Sequence, residues 1–161
     1  RTKSSAASDV YKRQVCVAPR LADGRFLMIQ QERYPVQRVL WEFPAGQIDH
    51  PDWRSQPGIL EETAYRELRE ETGHALAGSG ELIPLGHHFS SQGFWDEHVY
   101  LFLAKGVEPT GEGRAPDPGE NILDCRPFTL EQIRQRIAEN EVVDANSLSL
   151  FAKLCALGII G

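Results

Sequence analysis

The sequence has few cysteines, no long apolar run and no excess of basic residues, and each shortage excludes a class of protein. Its three cysteines are far apart, which argues against a disulfide framework or a zinc site and favours a reducing compartment, the cytoplasm. No apolar stretch approaches the roughly 20 residues that cross a bilayer, so no membrane association is expected. With 17 basic against 23 acidic residues, the net charge is −6, and nucleic acid is not an expected partner.

The first fourteen residues lack the pattern of a folded segment. The stretch RTKSSAASDVYKRQ is polar, shows no apolar periodicity and contains no apolar core of a signal peptide. We interpret residues 1–14 as a disordered tail or a non-native segment. Residues 15–161 are then long enough to form one domain with a substantial core.

The most informative stretch is an acidic one, RELREETG, which starts at Arg66. At about 100° per residue in a helix, Glu67, Glu70 and Glu71 fall on one face. Like charges at this spacing repel each other, and hard cations such as Mg²⁺ prefer oxygen ligands, so the face is a candidate metal site. The alternative is a solvated acidic face balanced by Arg66 and Arg69. Spacing alone does not separate these two interpretations.

Alternating patterns along the chain predict a mixed sheet with helices packed on it. Strands are predicted at residues 15–18, 26–30, 81–90, 98–104 and 121–128. Helices are predicted at residues 60–72, 130–140 and 145–157, and loops at 31–40 and 106–119. Gly73 is expected to end the first helix in a left-handed conformation, while Thr129 and Asp144 are expected to cap the other two. This order predicts an α/β/α sandwich of the α+β class.

The acidic helix and the Pro44-Ala45-Gly46 turn before it together resemble the Nudix box. The second half of that box reads Arg-Glu-aliphatic-x-Glu-Glu-x-Gly, which Arg66 to Gly73 match. The first half departs, because six extra residues precede Arg66 and Gly58 stands where the box has its first glutamate. We therefore expect a longer loop before the helix and an intact carboxylate face.

Further segments resemble the ADP-ribose pyrophosphatase branch of the Nudix superfamily. They are WEFPAGQID from Trp41, SQGFWDEHVYLFLA from Ser91, GENILDCRPFTLEQI from Gly119 and VVDANSL from Val142. The resemblance covers most of residues 15–160 and implies a Nudix fold, with a mixed β-sheet between helices. Because Val15–Ala18 corresponds to the first strand of the catalytic core, the N-terminal β-segment of that branch is expected to be missing. A homodimer remains a candidate assembly.

The resemblance implies metal-dependent hydrolysis of the pyrophosphate bond of ADP-ribose or a related nucleoside diphosphate sugar. The products would be a nucleoside monophosphate and a sugar phosphate. Alternatives are hydrolysis of a dinucleotide or a capped nucleotide, or a catalytically inactive module that binds nucleotide. Mg²⁺ is the expected cofactor and Mn²⁺ a second candidate, since bound metals neutralise the pyrophosphate and activate water. The expected ligands are Glu67, Glu70, Glu71 and, from the family pattern, the Ala45 carbonyl oxygen.

Two further catalytic roles are expected around the metal. Arg66 lies four residues before Glu70 and is expected to orient that carboxylate, the alternative being an ordinary surface ion pair. In the resembling branch, a glutamate from a late flexible loop helps position the attacking water. Glu120 corresponds best to that context and Glu112 second, although either could be a solvated acid.

Substrate-binding residues are expected on both sides of the box. Arg33 and Arg38 flank the preceding loop, and guanidinium groups suit phosphate oxygens. Glu97 could accept hydrogen bonds from ribose hydroxyls, and Phe94 or Trp95 could stack on a base. Solvated charge and ordinary packing are the competing roles for these residues.

Two adjacent histidines, His87 and His88, lie in a predicted strand. Neighbouring side chains of a strand point to opposite faces of its sheet. The pair therefore predicts no shared metal site, and a packing or surface role is expected for each.

Overall fold

A seven-stranded mixed sheet forms the centre of the computed structural model, which describes residues 13–50, 54–94 and 96–161. Its strands are β1 (Arg13–Leu21), β2 (Phe26–Arg33), β3 (Arg38–Glu42), β4 (Ala45–Gln47), β5 (His74–Phe89), β6 (His98–Pro109) and β7 (Ile122–Phe128). The helices are α1 (Ile59–Thr72), α2 (Leu130–Ala138) and α3 (Ala145–Ala156). In these three ranges, no helix is long and apolar enough to cross a membrane.

β1 is the middle strand of the sheet. It pairs in parallel with β6, from Arg13 opposite His98 to Leu21 opposite Val107, and β6 pairs antiparallel with β5. On its other edge β1 pairs antiparallel with β4 and, at its end, with β2, which lies between β3 and β7. Parallel and antiparallel pairs therefore coexist, and the predicted mixed sheet is confirmed.

Both faces of β1 are buried, and each belongs to a different core. Cys16 and Ala18 point into a core that α2 and α3 cover, whereas Val15 and Val17 point into a second core under α1. Successive side chains of a strand alternate between faces, so one apolar strand contributes to both cores. Helices thus lie on both sides of the sheet, which confirms the predicted α/β/α sandwich.

The helix ends agree with the sequence analysis. α1 stops at Gly73, whose φ of 69° is left-handed and suits glycine. The Thr129 side chain accepts a hydrogen bond from the backbone N–H of Gln132, and the Gln132 side chain accepts one from the backbone N–H of Thr129, so the capping box is confirmed. Asp144 accepts from the backbone N–H of Ser147 and caps α3. Local hydrogen-bonding chemistry determines these ends, so they can be predicted from sequence.

Several strands are longer than predicted. β1 begins at Arg13, two residues before the predicted domain boundary, because Gln14 pairs with β4 on one side and β6 on the other. β5 starts at His74, directly after α1, and β6 continues to Pro109. The loop prediction is therefore wrong for residues 106–109. It is also wrong for much of 31–40, where β2 ends and β3 begins. Backbone ladders hold these polar strand ends, and apolar periodicity does not reveal them.

Candidate metal-binding active site

α1 carries two carboxylates into the interior of the protein. The side chains of Glu67 and Glu71 are buried, with exposed fractions of 3% and 0%. Ala64 and Leu68 on the same helix pack into the core beneath it. This packing fixes the rotation of α1, so the two carboxylates, one turn apart, face β4.

The backbone of β4 lies directly against these carboxylates. Ala45 donates its N–H to Glu71 Oε2 at 2.8 Å. A Cβ on Gly46 would lie 1.9 Å from Glu67 Oε1, so any side chain there would overlap the carboxylate. The observed position of the Glu67 carboxylate therefore requires glycine at residue 46. Ala45, whose carbonyl oxygen is an expected metal ligand, lines a pocket together with Gly46 and Glu67.

A third carboxylate, that of Glu120, comes from the loop between β6 and β7. One oxygen from each of Glu67, Glu71 and Glu120 lies within 4.8 Å of the other two. Glu120 accepts a hydrogen bond from the backbone N–H of Asp117 at 3.2 Å. The loop is attached to α1, because Ala115 donates its N–H to the carbonyl oxygen of Glu70 at 2.8 Å. We call Glu67, Glu71 and Glu120 the carboxylate cluster.

The carboxylate cluster suits a divalent cation. Burial, together with repulsion by Glu120, raises the pKa of Glu67 to about 7. Burial, together with repulsion by Glu67 and Glu120, raises the pKa of Glu71 to about 9. Glu71 Oε1 is buried and accepts no hydrogen bond from any residue that the structure describes. A buried oxygen without a donor, next to two more carboxylates, is the kind of ligand set that Mg²⁺ or Mn²⁺ binds. These residues therefore fit the metal that the sequence analysis expects.

Stability should depend on pH and metal together. Without metal, the folded protein keeps protons on Glu67 and Glu71 that the unfolded chain loses above its ordinary glutamate pKa, so stability falls as pH rises toward about 9. Metal binding needs the ionised carboxylates. We therefore expect added Mg²⁺ to raise the thermal midpoint more at about pH 8 than at about pH 6.

Thermal unfolding of metal-free and Mg²⁺-loaded protein measures this effect. In Glu71→Gln, both the pH dependence and the Mg²⁺ shift should shrink. Glu61→Gln is the matched control, since Glu61 lies exposed in the first turn of the same helix. An unchanged Mg²⁺ shift in Glu71→Gln would contradict the assigned ligand.

Arg66 bridges the acidic residues around the cluster. Its guanidinium lies 2.7 Å from Glu67 Oε1 and 3.1 Å from Glu70 Oε2. It also donates to the carbonyl oxygen of Gln47 at 3.0 Å and lies 3.8 Å from Asp49. The spacing in the sequence predicts the contact with Glu70, but not the contacts with Glu67 and the end of β4. Arg66 therefore joins helix, strand and carboxylates, which supports an orienting role over that of an isolated surface pair.

The structure separates Glu70 and Glu112 from the cluster. Viewed down the helix, Glu71 lies about 40° from Glu67, whereas Glu70 lies about 60° to the other side. Accordingly, the Glu70 side chain is 30% exposed and pairs with Arg66 at the rim. Glu112, the second candidate for positioning water, forms an ion pair with Arg69. Of the two late-loop candidates, only Glu120 lies at the cluster.

Two adjoining cavities extend from the cluster. The first, of about 240 Å³, is lined by Glu67 and Glu120 together with Arg66 and the β4 backbone. The second, of about 470 Å³, has mixed apolar and polar walls. Gln14 and Arg33 line both cavities, so the two form one continuous cleft. We call them the metal pocket and the large cavity.

The expected substrate-binding residues meet in this cleft. Arg33, Arg38 and Glu97 all line the large cavity. The Arg33 guanidinium binds buried Glu42 through Nε at 3.0 Å and through another nitrogen at 2.6 Å, and this contact raises the pKa of Arg33. Arg38 donates to the carbonyl oxygen of Asn140 at 3.4 Å. Arg33 is thus held rigidly at the junction of the two cavities.

The predicted aromatic residue Phe94 does not line the described cavities, and two residues that were not predicted do. Phe94 is 79% exposed, and Trp95 lies outside the described residues. Gln14 and Asn146 line the large cavity but were not expected, Gln14 because it fell within the predicted tail. Its position immediately before the apolar run of β1 is the sequence feature that could have indicated Gln14 as a site residue.

The fold and the carboxylate helix together define a class of protein. The NUDIX domain matches residues 10–151, and the chain belongs to that family. Its sequence is 34% identical over 125 residues to the ADP-ribose pyrophosphatase of Bacillus subtilis (strain 168), covering 78% of this chain and 62% of that protein. It is 31% identical over 127 residues to the ADP-ribose pyrophosphatase of Mycobacterium tuberculosis (strain ATCC 25618 / H37Rv), covering 79% of this chain and 57% of that protein.

A third relative carries a different name. The methanol dehydrogenase activator of Bacillus methanolicus is 30% identical over 126 residues, covering 78% of this chain and 63% of that protein. The chain therefore spans about three fifths of the length of the curated relatives it matches.

Solved structures share the architecture. An ADP compounds hydrolase matches with a TM-score of 0.73 at 19% identity, covering 92% of this chain and 76% of that one. A NUDIX hydrolase from Nitrosomonas europaea matches with a TM-score of 0.64 at 19% identity, covering 93% of this chain and 95% of that one. At this identity the two structures establish the fold alone.

Proposed function

We propose that the protein is a metal-dependent hydrolase that cleaves the pyrophosphate bond of ADP-ribose or a related nucleoside diphosphate sugar. The observation that carries the proposal is the buried carboxylate cluster at one end of a cleft whose other end can hold a sugar or base. Two relatives named ADP-ribose pyrophosphatase support this class of substrate. Metal at the cluster would meet the pyrophosphate, and the large cavity would select what is attached to it.

The residues of the metal pocket have separable roles in this proposal. Glu67 and Glu71 would hold the metal, with the Ala45 carbonyl oxygen as a further ligand, and Glu70, at the rim, would extend the site toward a second cation. When bound, Mg²⁺ or Mn²⁺ supplies charge neutralisation at the pyrophosphate and acidifies bound water. Arg66 holds the ligand carboxylates in place.

Glu120 is suited to handle the attacking water. Its half-buried carboxylate faces the other two from a loop, and burial raises its pKa, which favours accepting a proton. Water adds to one phosphorus, its proton passes to Glu120, and the bridging oxygen leaves with the other phosphorus. With ADP-ribose the products are AMP and ribose 5-phosphate.

Product analysis in oxygen-18 water tests the reaction. With ADP-ribose and Mg²⁺, we expect AMP and ribose 5-phosphate, with the label in one of them.

Related nucleotide sugars should be cleaved at the same bond more slowly, because the cluster meets the phosphates whichever sugar is attached. Nucleoside triphosphates should be poor substrates, since they lack the terminal ribose that we assign to Glu97. Faster hydrolysis of a triphosphate than of ADP-ribose would overturn the substrate class. A preference for a dinucleotide or a capped nucleotide would favour that alternative.

The role of Glu120 predicts a selective kinetic defect. A positioned base typically contributes 10²–10⁴-fold, so Glu120→Gln should lower kcat by about a hundred-fold. Glu112→Gln is the comparison, because it removes the same charge from the same loop, where Glu112 pairs with Arg69. Steady-state kinetics with ADP-ribose measures both variants. A larger loss in Glu112→Gln would transfer the role to Glu112.

A further inference from the structure

Five polar side chains form a continuous hydrogen-bonded chain beside the large cavity, away from α1. His88 Nε2 lies 3.2 Å from Asn146 Oδ1, and Asn146 Nδ2 lies 3.2 Å from Gln14 Oε1. Gln14 Nε2 in turn lies 3.2 Å from Glu97 Oε1. At the other oxygen, Ser90 donates its hydroxyl to Glu97 Oε2 at 2.5 Å. We call this series the polar chain.

The carboxylate of Glu97 sets the direction of the whole series. An ionised carboxylate only accepts hydrogen bonds, so Gln14 must present its amide nitrogen to Glu97 and its oxygen to Asn146. Asn146 must then donate to Gln14 and accept from His88, which leaves His88 as a donor through Nε2. Every hydrogen bond therefore points toward Glu97, and aligned hydrogen bonds polarise and strengthen one another.

Rigid elements support the polar chain. The backbone of Gln14 is paired on both edges within the sheet. Asn146 lies in the first turn of α3, which Asp144 caps. The next residue, Ser147, accepts a hydrogen bond from the backbone N–H of Phe43 at 2.8 Å and so ties α3 to the β3–β4 connection. Glu97 is thus held in one orientation before any ligand arrives.

We propose that the polar chain positions Glu97 as a double acceptor for the vicinal diol of a ribose in the large cavity. Glu97 then determines specificity, and Gln14, Asn146 and His88 are positioning residues that act through it. This inference rests on the proposed function, because it assigns the sugar of the same substrate. Both oxygens of a carboxylate can accept from two adjacent hydroxyls, whereas they repel a phosphate.

The location of these side chains supports this assignment. Gln14, Glu97 and Asn146 all line the large cavity, and Gln14 also lines the metal pocket. A sugar beside Glu97 would therefore be one cavity away from the carboxylate cluster, where its diphosphate would lie. The second N–H of each amide remains to donate to a sugar oxygen.

Substrate analogues measure the contact directly. ADP-ribose is compared with two analogues, one lacking the 2-hydroxyl of the terminal ribose and one lacking the 2′-hydroxyl of the adenosine ribose. A hydrogen bond to a charged group is worth about 1.5–3 kcal/mol, so wild type should lose roughly 10- to 100-fold in kcat/KM with the analogue whose diol Glu97 binds. We expect this loss with the analogue of the terminal ribose. A loss with the adenosine analogue instead would overturn the assignment of the terminal ribose to Glu97.

Variants of the polar chain should lose this discrimination. In Glu97→Gln, Gln14→Glu and Asn146→Asp, kcat/KM for ADP-ribose should fall, and its ratio to that for the sensitive analogue should approach one. Gln135→Glu is the matched control, because exposed Gln135 also donates to a glutamate, Glu139, at 2.9 Å. Undiminished discrimination in Gln14→Glu, or none in wild type, would overturn the proposal.

The tautomer of His88 gives a readout that does not need turnover. Long-range proton–nitrogen spectra of the free protein at alkaline pH should show the proton of neutral His88 on Nε2. A proton on Nδ1 would overturn the direction of the polar chain. If wild type hydrolyses no ADP-ribose, the proposed function fails, while this spectrum still decides whether Glu97 is positioned as we infer.

Discussion

Glu67→Gln and Glu71→Gln should each lower kcat for ADP-ribose by about a hundred-fold or more while leaving the fold intact. Glutamine keeps the shape of glutamate but brings no negative charge to the site, where we propose that a divalent metal binds. The hydrogen bond from Ala45 to residue 71 can still form, because an amide oxygen also accepts. Each variant also removes a charge that burial disfavours, so the metal-free fold should not be weakened.

Steady-state kinetics and circular dichroism on the same samples distinguish a loss of turnover from a loss of the fold. Glu70→Gln should lose less activity, because its side chain lies at the rim with Arg66. Glu61→Gln removes a charge from an exposed position of the same helix and should retain wild-type turnover. Turnover of Glu67→Gln or Glu71→Gln within a few-fold of wild type would remove the basis for a metal site here.

Gly46→Ala should abolish most activity with only a small loss of stability. The new methyl group would lie 1.9 Å from Glu67 Oε1, so the carboxylate must move. A carboxylate at the end of a flexible side chain can rotate away cheaply, so the fold tolerates the change. The displaced Glu67 oxygen, however, no longer lies close to the carboxylates of Glu71 and Glu120. We therefore expect at least about a tenfold loss of kcat.

A matched glycine substitution controls for backbone effects. Gly78 also lies in a strand, and a Cβ there would meet nothing within 4 Å, so Gly78→Ala should retain normal kinetics. Mg²⁺ titration followed by thermal unfolding should show weakened metal binding in Gly46→Ala alone. Full activity in Gly46→Ala would mean that Glu67 does not need its observed position.

The sequence was most informative where local chemistry decides the structure. Glycine and side-chain caps fix the helix ends, and helical periodicity places Glu67 and Glu71 on one buried face. The same periodicity could not show that Glu70 would remain at the rim, because the rotation of α1 depends on how Leu68 packs against the sheet.

Contacts between distant parts of the chain were harder to foresee. The loop before β7, which carries Glu120, is attached to α1 partly through the backbone hydrogen bond from Ala115 to Glu70, and this contact has no sequence signature. Gln14 joined the site because β4 and β6 extend the ladder of β1 past its apolar residues. Polar residues at the ends of central strands therefore deserve to be considered as site residues.

The parallel pairing of β1 with β6 has a consequence for how the protein folds. Arg13 lies opposite His98, so the chain between them, which includes α1, must close as one long loop before the central pair can form. Pairing of such high contact order is slow, and we expect the carboxylate cluster to assemble late. The cost of closure grows only with the logarithm of loop length, about 0.6 kcal/mol per doubling. Six extra residues before α1 thus add on the order of 0.1 kcal/mol or less to the closure of this central strand pair.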